Sequence, residues 1–343
     1  MPTLPESVSV PSFVGEGRIE TTTRTVPTPG PGQLLLQVRA NALCGSERGQ
    51  FYGGTKVVPG HEAAGVVVAI GEGTSTPIGT PGVVFLMDFC GECRSCKLGY
   101  TNQCLQKRAD MGFNRDGGYG VYELVSENIF FPVPESLSLT EATLLLDVMG
   151  TGGHAIKRAQ RVRPDIESVL ITGAGPIGLG LLVMAKLLLG KDVPVLLSDP
   201  MPYRLELAEK LGGLPILLTE TSLAEGLAYH GIPRPDIAID AAGRKTVREE
   251  CLSLLAPRGV WVGVAHGEGV CLESVSREFI PRELTLIASE YFAYQELPEN
   301  LSLLLANRDY LAPILTHRFG VADIQHAFEL FFKGETGKVI IEQ

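Results

Sequence analysis

Ser168-Val-Leu-Ile-Thr172-Gly173-Ala-Gly175-Pro176-Ile177-Gly178-Leu-Gly-Leu-Leu-Val-Met-Ala-Lys-Leu-Leu-Leu189 is the stretch on which the fold turns. A short apolar run of strand length enters a glycine-rich turn and leaves it as a long apolar pattern of helical length. Gly-x-Gly-x-x-Gly alone is common by chance, but with a strand before it and a helix after it each glycine has a task. Gly173 permits the tight turn, Gly175 lets a pyrophosphate approach the backbone, and Gly178 lets the helix close on the strand. Pro176 and Ile177 open the helix, whose N-terminus offers unpaired N–H groups and a partial positive charge to phosphates.

Downstream, residues 193–198 read as the next strand, 204–211 as a helix, and 216–218, 236–240 and 259–264 as further strands. This alternation predicts a parallel sheet with right-handed crossovers, a doubly wound Rossmann domain over residues 149–290. Asp199 ends the second strand 21 residues after Gly178, the spacing of an acid that accepts hydrogen bonds from a ribose and repels a 2′-phosphate. NAD is therefore expected over NADP. Arg204 either reaches the same ribose and softens that preference or is a solvated helix charge. Upstream, residues 33–40 and 65–70 are β-rich runs bounded by turn residues, and the chain ends in a strand at 338–342. Residues 1–148 with 291–343 are expected to form a second, β-rich domain.

A chain of 343 residues, 45% hydrophobic and 20% charged, suits two globular domains. Its formal charge of −10 would repel phosphate backbones and anionic lipid, so neither nucleic acid nor a membrane is an expected partner. The N-terminus lacks a basic start followed by an apolar run. The most apolar stretch, 177–197, is broken by Lys186, Lys191, Asp192 and Pro194. A cytoplasmic location with reduced thiols is expected.

Of seven cysteines, four crowd into fifteen residues: Cys90-Gly-Glu-Cys93-Arg-Ser-Cys96, then Cys104. Two-residue gaps let successive sulfurs fold onto one ion, and four thiolates close a tetrahedral zinc site whose role is structural. An iron–sulfur cluster and unrelated free thiols are the alternatives. Cys44, in Leu43-Cys-Gly-Ser46-Glu47, and His61-Glu62, in Pro59-Gly-His-Glu-Ala-Ala-Gly65, together offer a thiolate, an imidazole and a carboxylate. That is the ligand set of a catalytic zinc with one position open, although each residue alone reads equally well as packing.

Taken in order and at their spacing, 44–47, 60–65, the four-cysteine lobe and 173–178 resemble the zinc-containing medium-chain alcohol and polyol dehydrogenases over essentially the whole chain. The resemblance implies a GroES-like fold for the β-rich domain. It also implies two zinc ions per chain, NAD, a small alcohol, polyol or carbonyl substrate, and a homodimer or homotetramer. Cys44 and His61 become catalytic zinc ligands, and Asp147, otherwise a helix-end charge, becomes the third. Glu62 becomes the carboxylate beside the metal, either ligating it or supporting its ligands. By the same resemblance Ser46 bonds the substrate oxygen and starts a proton relay, and Thr151 contacts the nicotinamide. Many relatives finish that relay with a histidine where this chain has Gly49. Arg48, Glu47 and Tyr52 are near in sequence, and the pattern leans towards polyols or sugars. Phe113-Asn-Arg-Asp116 and Leu86-Met87 are candidates for the pocket wall. Competing readings are a biosynthetic carbonyl or imine reductase of the same fold, a zinc-free reductase, and a nucleotide- or zinc-binding protein without turnover.

Overall fold

A computed structural model describes residues 4–272 and 274–343. The glycine-turn stretch begins as the strand Val169–Thr172, buried at every position. Such a run stays apolar throughout because a central parallel strand is covered on both faces. It lies inside a six-stranded parallel sheet with neighbours in the order Leu214–Leu217, Val195–Asp199, Val169–Thr172, Ile237–Asp240, Val260–Gly263 and Thr285–Ala288. By chain order these are strands three, two, one, four, five and six, the doubly wound arrangement. The order reverses between Val169–Thr172 and Ile237–Asp240, which opens a crevice at the ends of Thr172 and Asp240. The strand Thr285–Ala288 lay outside the sequence expectations. It is a four-residue edge strand, only half-buried, and its short apolar run at 284–288 is closed in by Arg282 and Glu283 before it and Glu290 after it.

The helix Pro176–Leu188 leaves the glycine turn with a proline in its first turn. Its Gly180 packs backbone to backbone against Gly152, where a Cβ would come within 2.7 Å of the Gly180 carbonyl carbon. Gly152 starts the helix Gly152–Val162, which one π-helical turn, Asp147–Thr151, precedes.

The second large sheet has seven strands and is GroES-like. Its main path runs Leu315–Gly320, Lys338–Glu342, Gln33–Ala42, Ala63–Ile70, Pro81–Val84 and Phe130–Pro132, and Tyr122–Ser126 also pairs with Gln33–Ala42. The C-terminal strand thus lies beside one that begins some three hundred residues earlier, with Ile340 opposite Ala42. A hairpin of Ser7–Gly15 and Arg18–Thr25 caps this part. The second of its strands is almost wholly polar and at least half exposed, so it carries no apolar signal. Among the described residues no helix is long and apolar enough to cross a membrane.

Candidate active site

The antiparallel pairing of Gln33–Ala42 with Ala63–Ile70 sets Asn41 opposite Ala63. Cys44, just past the first strand, and His61-Glu62, just before the second, therefore meet although 17 residues separate them in sequence. Asp147 arrives from the π-helical turn, a local irregularity often used to aim a functional side chain. One ligand atom each from Cys44, His61, Glu62 and Asp147 fall within 4.8 Å of one another, and all four residues are buried.

Partners that sequence reasoning missed fix this constellation. Glu47 Oε1 is 3.1 Å from His61 Nδ1, while its Oε2 accepts the Tyr119 hydroxyl at 2.7 Å and the Cys44 amide at 3.2 Å. The other ring nitrogen, Nε2, faces Asp147 at 3.5 Å. A histidine held by a carboxylate at one nitrogen and aimed into a cluster with the other is the common arrangement of a metal-binding imidazole. Lys338, fully buried, donates to Glu62 Oε1, and Glu62 Oε2 is buried without a partner. Glu47 stands three residues from Cys44 and was within reach of inspection. Tyr119 and Lys338 were not, because only the sheet brings them close.

Burial alone would lower the His61 pKa, but hydrogen bonds to Asp147, Cys44 and Glu47 carry it well above the usual imidazole value. Burial would raise Asp147, yet the His61 hydrogen bond and charge hold it well below the carboxylate range. Burial, with the Asp147 charge, pushes the Cys44 thiol up, and burial pushes Glu62 up to about 8. Burial thus holds Cys44 and Glu62 towards their neutral forms beside the Asp147 carboxylate, and added positive charge at their centre would draw out both anions. A divalent cation there would supply it and displace the imidazole proton, so the residues fit a metal ion.

The four-cysteine lobe fits one too. Its sulfur–sulfur distances of 3.5 Å for Cys93–Cys96, 3.9 Å for Cys93–Cys104 and 3.5 Å for Cys90–Cys104 exclude disulfides. They match the edges of roughly 3.8 Å in a tetrahedron with zinc–sulfur bonds of about 2.3 Å.

A cavity of about 600 Å³ opens onto the mixed cluster, and Ser46, Thr151, Leu86 and Phe113 stand in its wall beside Cys44, His61 and Asp147. The Phe113 ring lies 5.0 Å from that of His61. Arg115 and Asp116, expected beside Phe113, instead face a separate surface hollow. The adjoining crevice, about 650 Å³, is walled by Gly175, Pro176, Gly178 and Arg204, and it shares Cys44, Arg48 and Ile177 with the first cavity. The three glycines divide their work. Gly173 has φ +88°, and a Cβ on Gly178 would stand 1.8 Å from the Gly173 carbonyl oxygen. A Cβ on Gly175 would meet only the Arg204 guanidinium, at 3.8 Å, so this backbone stays open to a ligand. Asp199 is buried behind that wall. Its oxygens accept the Ala174 and Met201 amides, each at 2.8 Å, and Arg204 lies 3.8 Å away. The carboxylate therefore grips the glycine turn itself.

Residues 30–135 match the alcohol dehydrogenase GroES-like domain. The chain is 30% identical over 328 residues to L-threonine 3-dehydrogenase of Pyrococcus horikoshii, covering 92% of each chain. It is 27% identical over 345 residues to an uncharacterized zinc-type alcohol dehydrogenase-like protein, YphC, of Escherichia coli, covering 95% of this chain and 96% of that one. Among solved structures, an alcohol dehydrogenase (rspB) from E. coli CFT073 complexed with NADH superposes with a TM-score of 0.88 at 26% identity, over 99% of this chain and 100% of that one. Fold, paired metal-ligand clusters, glycine turn and relatives agree: the chain belongs to the zinc-containing medium-chain alcohol dehydrogenase family.

Proposed function

We propose that the protein is a zinc-dependent dehydrogenase that moves a hydride between NAD(H) and a secondary alcohol, polyol or sugar-like hydroxyl. The observation that carries this reading is the shared wall. Cys44 and Ile177 border both the cavity over the mixed cluster and the crevice along the glycine turn. A substrate oxygen at the cluster would thus lie next to a nicotinamide whose pyrophosphate rests at Gly175. Residues 1–148 with 291–343 supply the metal and substrate side, and 149–290 the cofactor side.

Cys44, His61 and Asp147 would hold the catalytic zinc, with Glu62 as a fourth carboxylate that can approach it, and the four-cysteine lobe would hold the structural one. Bound there, zinc would supply Lewis acidity at the substrate oxygen and NAD a hydride acceptor. The chain does the rest. Glu47 fixes the orientation of His61 and Lys338 that of Glu62. Ser46 accepts a hydrogen bond from the substrate hydroxyl and passes its own proton on as it takes that one up, Thr151 orients the nicotinamide, and Leu86, Phe113 and Ile177 keep water from the carbinol carbon. Nothing lies within 4 Å of where a Cβ on Gly49 would stand, so the space a relay side chain would occupy is open and water can carry the proton out. Asp199, at its strand end 21 residues after Gly178, favours NAD over a cofactor with a 2′-phosphate.

The test is cofactor reduction by purified protein over secondary alcohols, polyols, aldoses and amino alcohols, each with NAD and NADP. Chelator-sensitive NADH formation is expected. No reduction of either cofactor, with zinc and cofactor demonstrably bound, would overturn the proposal. Carbonyl reduction alone would move the reading to a biosynthetic reductase.

A further inference from the structure

Two parts of the cavity wall come from distant parts of the chain. Thr151 ends the π-helical turn that carries Asp147, and Ser289, Glu290 and Tyr291 follow the edge strand Thr285–Ala288. The two segments can meet because Gly150 has no side chain, since a Cβ there would stand 2.3 Å from the Phe292 ring. Beside that contact the backbone is strained. Tyr291 sits at φ +47°, a left-handed conformation that a bulky side chain adopts only under constraint. Such strain persists where the surrounding structure over-determines it.

The constraint comes from outside the cavity. The Ser289 amide donates to the Gly263 carbonyl at 2.9 Å, and Asn102 Nδ2 donates to the Glu290 carbonyl at 2.8 Å, so the backbone is held just before the bend. Asn102 is buried in the short turn Thr101–Gln103, between Cys96 and Cys104 of the four-cysteine lobe. Its amide has a second hydrogen, and 3.5 Å away stands Nε2 of the buried His154. A carbonyl only accepts, so Glu290 decides which end of the Asn102 amide points inward, and the imidazole then accepts at Nε2. That leaves its proton on Nδ1, which lies 2.5 Å from Glu296 Oε1. His154 is thus held as a neutral imidazole in one tautomer. Glu296 Oε1 also accepts the Ala293 amide at 3.3 Å, which brings the path back to the chain just past the bend.

Glu290, Asn102, His154 and Glu296 therefore form one bridge. It leaves the wall, passes through the four-cysteine lobe, crosses the helix Gly152–Val162 one turn past Thr151, and returns to the wall segment. Packing alone does not call for a buried imidazole with both nitrogens engaged, because an apolar side chain would fill the space without needing partners. We infer that Asn102 and His154 are positioning residues, which couple the four-cysteine lobe to the reaction cavity and hold Thr151 and residues 289–291 at the separation a nicotinamide ring needs. This deepens the dehydrogenase reading and rests on it for the placement of the nicotinamide alone. Neither side chain stands in the wall of the cavity or of the adjoining crevice, so both act through the residues they hold.

The test compares NADH with ADP-ribose, which lacks the nicotinamide, by calorimetry on zinc-loaded protein. Both ligands use the glycine turn, but only NADH reaches the cavity between Thr151 and Glu290. Asn102→Ala and His154→Leu should each weaken NADH about tenfold, the size of one hydrogen bond, and leave ADP-ribose binding and zinc content unchanged. Because the two residues serve one bridge, the double variant should lose no more than the worse single one. Unchanged NADH binding, an equal loss for the two ligands, or losses that add in the double variant would overturn the inference. Asn102→Ala decides alone if His154→Leu does not fold. An assay of NADH formation over the alcohol panel separates the two readings. The NADH-specific loss without any NADH formation would sink the dehydrogenase proposal alone, whereas NADH formation without that loss would sink this inference alone. Binding of neither ligand by the unaltered protein would sink both.

Discussion

The mixed cluster and the four-cysteine lobe each bring four ligand atoms within 4.8 Å of one another, but they are assembled in opposite ways. In the lobe, every ligand comes from one stretch of fifteen residues, and the groups that steady the sulfurs are local backbone amides: Cys93 on Cys90, Cys90 on Cys104, Leu105 on Cys93. The amides of Cys96 and Leu105 lower the Cys93 thiol to about 6, so a thiolate is ready near neutrality. In the mixed cluster the ligands come from two strand ends and a π-helical turn. They are steadied by side chains from Glu47, Tyr119 and Lys338, the last nearly three hundred residues from Glu62. Burial raises the Cys44 thiol there, as within the lobe it pushes the Cys96 thiol up to about 12. One site is a local motif that makes its own fold, and the other is a product of the whole fold.

The comparison predicts its largest contrast when each site loses a ligand. Structural zinc contributes about 10–16 kcal/mol to the folding of small domains. Cys96→Ser should therefore halve the zinc content and unfold the 90–105 loop, seen as new protease cleavage there and a lower Tm. Because Thr101 and Asn102 brace residues 290–294, substrate affinity should fall as well. His61→Ala should halve the zinc content and abolish activity while the Tm stays close to that of the unaltered protein, since the sheets around it do not depend on the ion. Equal loss of Tm in both variants would erase the distinction between a local and a fold-built site.

A finer contrast concerns Glu47. It touches His61 and not the metal, and replacing such a partner costs metal affinity about 10- to 100-fold. Glu47→Gln keeps the shape and the Tyr119 contact but removes the charge behind the imidazole. Chelator competition should then show one zinc released 10- to 100-fold more readily, with the lobe zinc unmoved. Unchanged release would mean that Glu47 serves only the fold.

The same contrast explains what could be read in the sequence. The lobe was legible because its spacing is its geometry. The six-stranded sheet was legible for five strands because central parallel strands are apolar throughout, while the edge strand Thr285–Ala288 needs less burial and so leaves a weaker trace. Cys44 and His61 were uninformative singly and gained meaning only from resemblance. Lys338 looked like the polar start of a strand, and nothing in its neighbours announces that the strand lies between two others with Glu62 as its partner. Asp199 lay at the expected spacing, but its hold on the Ala174 amide is a matter of turn geometry. Tyr291 carries no sequence signal, because a left-handed backbone is a property of the path and not of the residue.

Glu123 gives the smallest expected effect and the sharpest control. It lies on the strand Tyr122–Ser126 opposite Leu36, is 1% exposed, and has no hydrogen-bond partner for either oxygen. It is thus a buried carboxylate of the same sheet that has neither the lysine given to Glu62 nor the tyrosine and histidine given to Glu47. Burial, with the Asp116 charge added, pushes its pKa well above the carboxylate range. A folded-state pKa raised above the unfolded value of about 4.3 makes stability fall as pH rises through that value, because the unfolded chain releases a proton that the folded one retains. Below it both states are protonated and the penalty vanishes. Glu123→Gln should therefore match the unaltered protein in urea unfolding near pH 4 and become progressively more stable above it, by up to about 1.4 kcal/mol per pH unit. Parallel curves across the whole range would mean that Glu123 is compensated in solution as Glu47 and Glu62 are. Diverging curves would show that burial without a partner is tolerated in this sheet where no ion has to be held, and that the partners around the mixed cluster serve the metal rather than the fold.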